Sequence, residues 1–194
     1  MENKTLISII VPAFNEEENL SVTVQKIGET LTNLHDRYSF ELIFVNDGSS
    51  DKTLGLLRQL HQQHPDWVHY LSFSRNFGHM SALRCGYDHA RGQAVICMDA
   101  DLQHPPAYIP VFLEKWTDGY EIVFTSRQDD EKTGWFKRLS SKYFYGLMNR
   151  FSDVRIEPGA ADFRLLDRKV VDLIRQSQET DLFIRGFIPW VGFR

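Results

Sequence analysis

Short apolar runs alternate with segments of helical spacing from the start of this chain to about residue 127, and that alternation restricts the fold more than any other feature. Residues 6–11 form an apolar run closed by Pro12. Residues 16–34 place Leu20, Val24, Ile27 and Leu31 at helical spacing, with acids in the first turn, where the helix dipole favours them. The spacing then predicts a strand over 40–45 and a helix over 51–62 with Leu54, Leu57 and Leu60 on its apolar face. Further strands are expected at 68–73, 94–98 and 121–125, with helices at 80–90 and 106–118. Strands joined by crossover helices specify an α/β sheet. There is no internal repeat, low-complexity segment or domain linker in the pattern.

The chain has 194 residues, 42% hydrophobic and 25% charged, which suits one domain with an adequate core. A net charge of −4 provides no global positive field, so a general nucleic-acid binder is excluded. Cys85 and Cys97 lack metal-ligand spacing and fit reduced, buried thiols of the cytosol. The chain reaches strand-like sequence within ten residues, so no signal peptide is expected. No apolar run approaches the ~20 residues that span a bilayer. The ending at Gly192-Phe193-Arg194, directly after an aromatic-rich segment, reads as a cut rather than a natural terminus.

Open α/β sheets bind ligands beyond the carboxyl ends of their strands. The polar residues of interest fall there: Asn15-Glu16, Asn46-Asp47-Gly48, Ser74-Arg75-Asn76, Asp99 with Asp101, and Arg127. Turn chemistry accounts for Asn46-Asp47-Gly48 but poorly for Arg75 and Arg127. Asp99 and Asp101 follow an apolar strand, and residues i and i+2 of a strand point the same way. Two carboxylates converging on one point repel unless a cation lies between them, and oxygen ligands select Mg²⁺ or Mn²⁺. Such an ion keeps positions for phosphate oxygens, so a nucleotide diphosphate is the expected partner. Arg75 and Arg127 are candidates for phosphate because a guanidinium matches phosphate oxygens bidentately, the alternative being surface ion pairs with Asp129 or Asp130. Glycine-rich dinucleotide and P-loop signatures and the Gly-x-Ser-x-Gly elbow do not occur, which disfavours dehydrogenases, P-loop ATPases and serine hydrolases.

Taken together, Val11-Pro12-Ala13-Phe14-Asn15-Glu16-Glu17, Val45-Asn46-Asp47-Gly48-Ser49-Ser50-Asp51 and Asp99-Ala100-Asp101-Leu102-Gln103 resemble the family 2 glycosyltransferases of GT-A fold. Ser74-Arg75-Asn76-Phe77-Gly78, Asp101-Leu102-Gln103-His104-Pro105 and residues 161–168 are similar to the polyisoprenyl-phosphate group, which includes bactoprenol glucosyltransferases and dolichyl-phosphate mannose synthases. The resemblance implies one GT-A catalytic domain over residues 1–194, with a mostly parallel mixed sheet and C-terminal amphipathic helices. Residues from about 130 would form its acceptor-side, membrane-proximal part, and transmembrane helices would follow. It implies that Pro12, Ala13, Asn15 and Glu16 line the nucleotide pocket and that Asp47 accepts from the uracil imino group. Asp99 would face the ribose or the metal's surroundings, while Asp101 and Gln103 would hold Mg²⁺ or Mn²⁺; His104, ahead of two prolines, reads as a helix entry rather than a ligand. Asp162 would be the catalytic carboxylate, orienting the acceptor more than abstracting a proton, and Arg164 would hold the acceptor phosphate. An ion pair of Asp162 and Arg164 with each other, or with Arg168, is the structural alternative.

The implied reaction transfers a hexose, glucose favoured, from a UDP-sugar to undecaprenyl phosphate with inversion. A polysaccharide or protein acceptor, or an inactive nucleotide-sugar-binding module, is the alternative. Residues 132–150 hold five basic residues, five aromatics and no acid. On a helical wheel Trp135, Phe136, Leu139, Tyr143 and Leu147 share an apolar face opposite Lys137, Arg138 and Lys142. This pattern suits an anionic membrane interface, on the cytoplasmic face of a bacterial inner membrane. Apolar surface left exposed there would favour a homo-oligomer.

Overall fold

The computed structural model describes residues 4–126, 160–179 and 182–194. Arg127 and the proposed interface residues Trp135, Lys137, Arg138 and Lys142 lie outside the described residues. The chain runs β1 (Thr5–Ala13), α1 (Leu20–Leu31), β2 (Tyr38–Asn46), α2 (Thr53–Gln63), β3 (Val68–Ser72), α3 (His79–His89), β4 (Ala94–Cys97), α4 (Ile109–Thr117) and β5 (Ile122–Ser126). After the undescribed segment come β6 (Ala160–Asp167), α5 (Arg168–Gln176) and α6 (Ile184–Trp190). The expected elements are present within a few residues. The helix expected over 106–118 opens as a 3₁₀ turn at Pro106–Tyr108, and that expected over 16–34 closes as another at Thr32–Leu34.

The sheet order is β3-β2-β1-β4-β6-β5. The pairs β1–β2, β1–β4 and β2–β3 are parallel, while β6 enters antiparallel between β4 and β5. The result is the mixed, mostly parallel sheet of the GT-A fold. Pro12 does not close β1, which continues to Ala13 in register with β2. Ile10 accepts from Met98 N–H on the β4 side, so Pro12, two residues on, turns its missing donor to that same side. Pairing with β4 has ended at Ile10, and the proline breaks nothing.

Alternation divides the core into two layers. Ile7, Ile9 and Val11 pack against α1, α2 and α4, with Leu20, Ile27, Leu57 and Phe112. Ile10, Val45 and Val95 pack on the other face against α3, α5 and α6, with Leu83, Val170 and Ile184. Central strands buried on both faces explain why their sequences read as unbroken apolar runs. Gly86 brings α3 onto β1 so closely that a Cβ there would lie 2.3 Å from Ile10 Cγ2. Among the described residues, no helix is long and apolar enough to cross a membrane.

One ion pair secures the sheet at the end away from the parallel strands' carboxyl termini. Glu41 on β2, opposite Ser8 on β1, is 2% exposed. Its carboxylate accepts from Ser8 Oγ (2.6 Å), Arg91 N (2.7 Å), Arg91 Nε (2.8 Å) and Arg91 Nη2 (2.6 Å). Gly92 N donates to Ser8 Oγ at 2.8 Å, so the α3–β4 turn is stitched to both strands. Burial pushes the Glu41 carboxyl up, but the bonds from Ser8 and Arg91 and the Arg91 charge outweigh it and hold the group below its ordinary value. A lowered folded pKa means stability that is complete above the unfolded carboxylate pKa and lost as pH falls through the folded one. Glu41→Ala is expected to lower the unfolding free energy by about 2 kcal/mol in urea denaturation, because the buried Ser8 hydroxyl loses its acceptor while the exposed Arg91 side chain can turn to water. Glu41→Gln is expected to flatten the acid side of the stability–pH curve measured by thermal melting.

Candidate active site

The parallel strands deliver their carboxyl ends to one edge of the sheet, where a cleft of about 390 Å³ opens. Pro12, Ala13, Phe14 and Glu16 line it at and after the end of β1, Asp47 after β2, Asn76, Gly78, His79 and Ala82 from the β3–α3 turn onward, and Asp99, Ala100 and Asp101 after β4. Of the residues expected at a nucleotide pocket, Pro12, Ala13, Glu16, Asp47, Asp99 and Asp101 thus share one cavity wall.

Two loops form that wall's rigid frame. Asn15 sits at φ 57°, a left-handed conformation that asparagine tolerates. Its N–H donates to Ser49 Oγ at 2.9 Å, and its Oδ1 accepts from Ser50 N at 2.9 Å. Glu16 N donates to Thr53 Oγ1 at 2.8 Å, and Lys52 N donates to Glu17 Oε2 at 2.8 Å. Asn15 is exposed and staples the β1–α1 loop to the β2–α2 loop, leaving Glu16 to face the cleft. Asp51, just ahead of α2, accepts from Thr53 N at 2.9 Å and steadies the turn into that helix.

Asp47 is 3% exposed and accepts from Phe77 N (2.7 Å) and Gly78 N (3.0 Å). Two backbone donors on the two carboxylate oxygens fix the turn that leads into α3. Gly48, at φ 65°, lets that turn approach: a Cβ there would lie 2.1 Å from the Arg75 carbonyl carbon. Arg75 is exposed, its guanidinium 4.0 Å from the Phe77 ring centroid and donating to Asn76 O at 3.0 Å. It stands beside the cleft wall rather than in it.

The Asp99–Asp101 turn is pinned to α1 by Thr23 Oγ1, which donates to Ala100 O at 2.8 Å. Asp101 is exposed and accepts from Gln103 N at 3.0 Å. Leu102 between them holds φ 57°, a strained conformation for a leucine, kept by packing of its side chain on the core. Burial pushes the Asp99 carboxyl up; His79 and His104 pull against this, while the charges of Asp162 and Asp101 add to it, and the net direction is up. This is a site with surplus negative charge. No group of three His, Cys, Asp or Glu converges among the described residues; on this turn the oxygen donors are the Asp99 and Asp101 carboxylates and the Gln103 amide. That donor set fits Mg²⁺ or Mn²⁺, which complete their shells with phosphate and water. His104 packs its ring on Phe163, centroids 5.6 Å apart, in keeping with a structural part.

Asp162 and Arg164 occupy successive positions on one face of β6, the face toward α3 and α6. Asp162 is 7% exposed and Arg164 5%. The Asp162 carboxylate receives Arg164 Nη2 at 2.9 Å, Arg185 Nε at 3.0 Å, Arg185 Nη2 and His79 Nε2 at 3.1 Å. Burial pushes this carboxyl up, but the hydrogen bonds from His79 and Arg185 and the charges of Arg164 and Arg185 hold it well below the usual carboxylate range. Asp162 is therefore an anion with its lone pairs engaged, a poor base and a firm anchor. The ion pair of Asp162 with Arg164, the structural alternative to an acceptor-binding Arg164, is present; Arg168 instead donates to Gly92 O and Ala90 O and pairs with Asp172.

Sequence reasoning missed His79 and Arg185. His79 directly follows the Ser74–Gly78 motif. Arg185 stands in the C-terminal part expected to be amphipathic and membrane-proximal, and only the tertiary meeting of α6 with β6 reveals its partner.

The family described as glycosyl transferase family 2 has a model that matches residues 8–174. A bactoprenol glucosyl transferase of Shigella phage SfV is 43% identical over 189 residues, covering 96% of this chain and 60% of the relative. The chain spans about 60% of the length of the curated relatives it matches. A mannosyltransferase from Pyrobaculum calidifontis, solved with GDP-Man and Mn²⁺, superposes with a TM-score of 0.66 at 20% identity over 100% of this chain and 54% of its own. Glucosyl-3-phosphoglycerate synthase from Mycobacterium tuberculosis, solved with Mn²⁺, UDP-Glc and phosphoglyceric acid, gives 0.56 at 20% identity over 86% of this chain and 58% of its own. These two share the fold.

The Gly48 contact tests the frame. Gly48→Ala is expected to destabilise the protein by about 2 kcal/mol, through the left-handed backbone and the clash with Arg75. Denaturant titration checks this.

Proposed function

The chain belongs to glycosyl transferase family 2, and from that premise we propose that it is the catalytic domain of a membrane-associated enzyme. The enzyme moves a hexose, glucose in the first instance, from a UDP-sugar to undecaprenyl phosphate. The observation that carries this reading is the meeting, at one sheet edge, of an anionic cleft with a guanidinium-bearing carboxylate cluster. A nucleotide diphosphate with a divalent cation suits the first, and an acceptor phosphate suits the second. The resemblance to bactoprenol glucosyl transferases supports the lipid acceptor and glucose, and the neighbour solved with UDP-Glc and Mn²⁺ supports donor and metal.

In this reading Pro12, Ala13, Glu16 and Asp47 border the nucleoside, and Asp99 lies by the ribose. Asp101, with Gln103, would hold Mg²⁺ or Mn²⁺, whose chemistry when bound is to neutralise charge growing on the departing diphosphate. Arg127 serves phosphate oxygens, while Arg75 stays beside the cleft wall on Phe77. The acceptor phosphate is already ionised near neutral pH and needs no strong base. Asp162 then acts by holding Arg185, whose side chain is 49% exposed, and Arg164, whose side chain is 6% exposed. Arg164 secures the carboxylate from beneath, and Arg185 offers its guanidinium to the acceptor phosphate. The phosphate oxygen attacks the anomeric carbon as UDP leaves, with inversion. Trp135, Lys137, Arg138 and Lys142 would seat the domain on the cytoplasmic face of the membrane, and chain beyond residue 194 would anchor it.

Calorimetry of the domain with UDP is expected to show binding that requires Mn²⁺ and is abolished by Asp101→Ala. In the full-length protein, UDP-glucose and undecaprenyl phosphate are expected to yield a glucosyl lipid, with kcat falling on the order of 100-fold in Asp162→Asn. Transfer to a soluble glycan without lipid phosphate, or unchanged turnover in both variants, would overturn the reading.

A further inference from the structure

We infer that His79 is a positioning residue for sugar transfer, the side chain that seats the Asp162–Arg185 pair against the donor cleft; the inference rests on the glycosyltransferase reading above. Its first support is location. His79 lines the catalytic cleft and also a second groove of about 540 Å³, which runs past Phe77, Met80 and Cys85 to Leu182 and Phe183. It is thus part of the partition between the two cavities. Asp162 is nearly buried, whereas 37% of the His79 side chain is exposed. The imidazole, not the carboxylate, forms the cleft surface at this point.

The second support is hydrogen bonding. Asp162 is anionic, so the 3.1 Å contact requires that His79 Nε2 carry the proton and donate to Oδ2. Arg185 Nη2 reaches the same oxygen. The imidazole therefore opposes the guanidinium across one carboxylate oxygen and limits how far the pair can turn. Without the imidazole, Oδ2 is left to Arg185 alone, while Arg164 and Arg185 Nε keep Oδ1, so the carboxylate loses the contact that fixes its second oxygen toward the cleft.

The third support is that His79 is itself set from the nucleotide side. Gly78, at φ 95°, delivers the chain into α3, and its N–H donates to Asp47 Oδ2 at 3.0 Å. A continuous run of contacts, Asp47 to Gly78, His79, Asp162 and Arg185, crosses from the wall assigned to the nucleoside to the guanidinium assigned to the acceptor. Asp47 keeps its bonds from Phe77 N and Gly78 N, and the Asp99–Asp101 turn keeps its bond from Thr23, when the His79 side chain changes. Loss of its donor should therefore weaken the chemical step more than donor binding.

The test uses the full-length enzyme in detergent with UDP-glucose and undecaprenyl phosphate. His79→Phe keeps a ring of similar size without the donor and is expected to lower kcat on the order of 100-fold. Its UDP-glucose KM should stay within about threefold, the signature of an interaction made only in the transition state. His79→Gln places an amide N–H near the Nε2 position and should recover most of the lost kcat. If His79→Phe fails to fold by circular dichroism, His79→Gln against His79→Asn replaces it, since only the longer amide reaches Asp162; Gln should then be the faster. Equal kcat in donor-bearing and donor-lacking variants, or a raised donor KM with kcat unchanged, would overturn the inference alone. Absence of transfer by the wild-type enzyme would overturn the glycosyltransferase reading, and this inference with it.

Discussion

A buried carboxylate held by two arginines and a histidine is the interaction on which the site's architecture depends. Asp162 joins three elements distant in sequence: β6, which carries it with Arg164, α6 through Arg185, and α3 through His79. Desolvating such an ion alone would be prohibitive, and its attraction to the guanidinium groups compensates only when geometry is good and the remaining lone pairs are used. Both oxygens here are engaged by charge-assisted donors, so the condition is met. The arrangement is directional, and it specifies how α6 lies on the sheet more sharply than the apolar contacts of Ile184 and Ile188 could.

The same cluster explains the electrostatic character of the cleft. Asp99 feels the charges of Asp162 and Asp101, while Arg164 and Arg185 bond directly to Asp162. Negative charge therefore accumulates on the β4 side of the cleft, and positive charge collects around Asp162. A pyrophosphate with a divalent cation and a second phosphate need opposite surroundings within one cavity. The polarity follows from the sheet: Asp99 and Asp101 leave the end of a parallel strand, while Asp162 enters beside it on the antiparallel strand that pairs with β4.

Much of this was legible in the sequence because it is local. Unbroken apolar runs mark strands buried on both faces, and turn residues at their carboxyl ends mark the site's edge. Glu16, Asp47, Asp99 and Asp101 were recoverable on that ground, whereas Pro12 and Ala13 were reached through the resemblance to the family. What escaped is non-local. The insertion of β6 between β4 and β5 follows from pairing chosen over long separations, which a periodicity cannot encode. Asn15 carries the right residue type at the right loop, yet its amide is used on Ser50. Arg75 has the chemistry for phosphate, but the Phe77 ring beneath it is a neighbour whose effect depends on the turn held by Asp47. Arg185 looked like part of an amphipathic surface until α6 met Asp162.

The two ends of the sheet divide the tasks of stability and reactivity. At one end Glu41, Ser8 and Arg91 tie strands and turn through bonds with no ligand to serve, and that end can be optimised for rigidity. At the other, Leu102 is held in a left-handed conformation, Asp99 is raised, and surplus charge is left uncompensated within the described residues. Such features destabilise the protein without a ligand, and the cation and phosphates of the proposed function would offset that cost. The loops bearing them are nevertheless not loose: Thr23 pins Ala100, Asp47 pins Gly78, and Ser49 with Ser50 pins Asn15. Rigid backbone around unsatisfied charge is what preorganisation requires, because reorganisation is avoided when charge develops on the leaving group. The stable end makes that strain tolerable, since the parallel strands running between the two ends carry the core that both share.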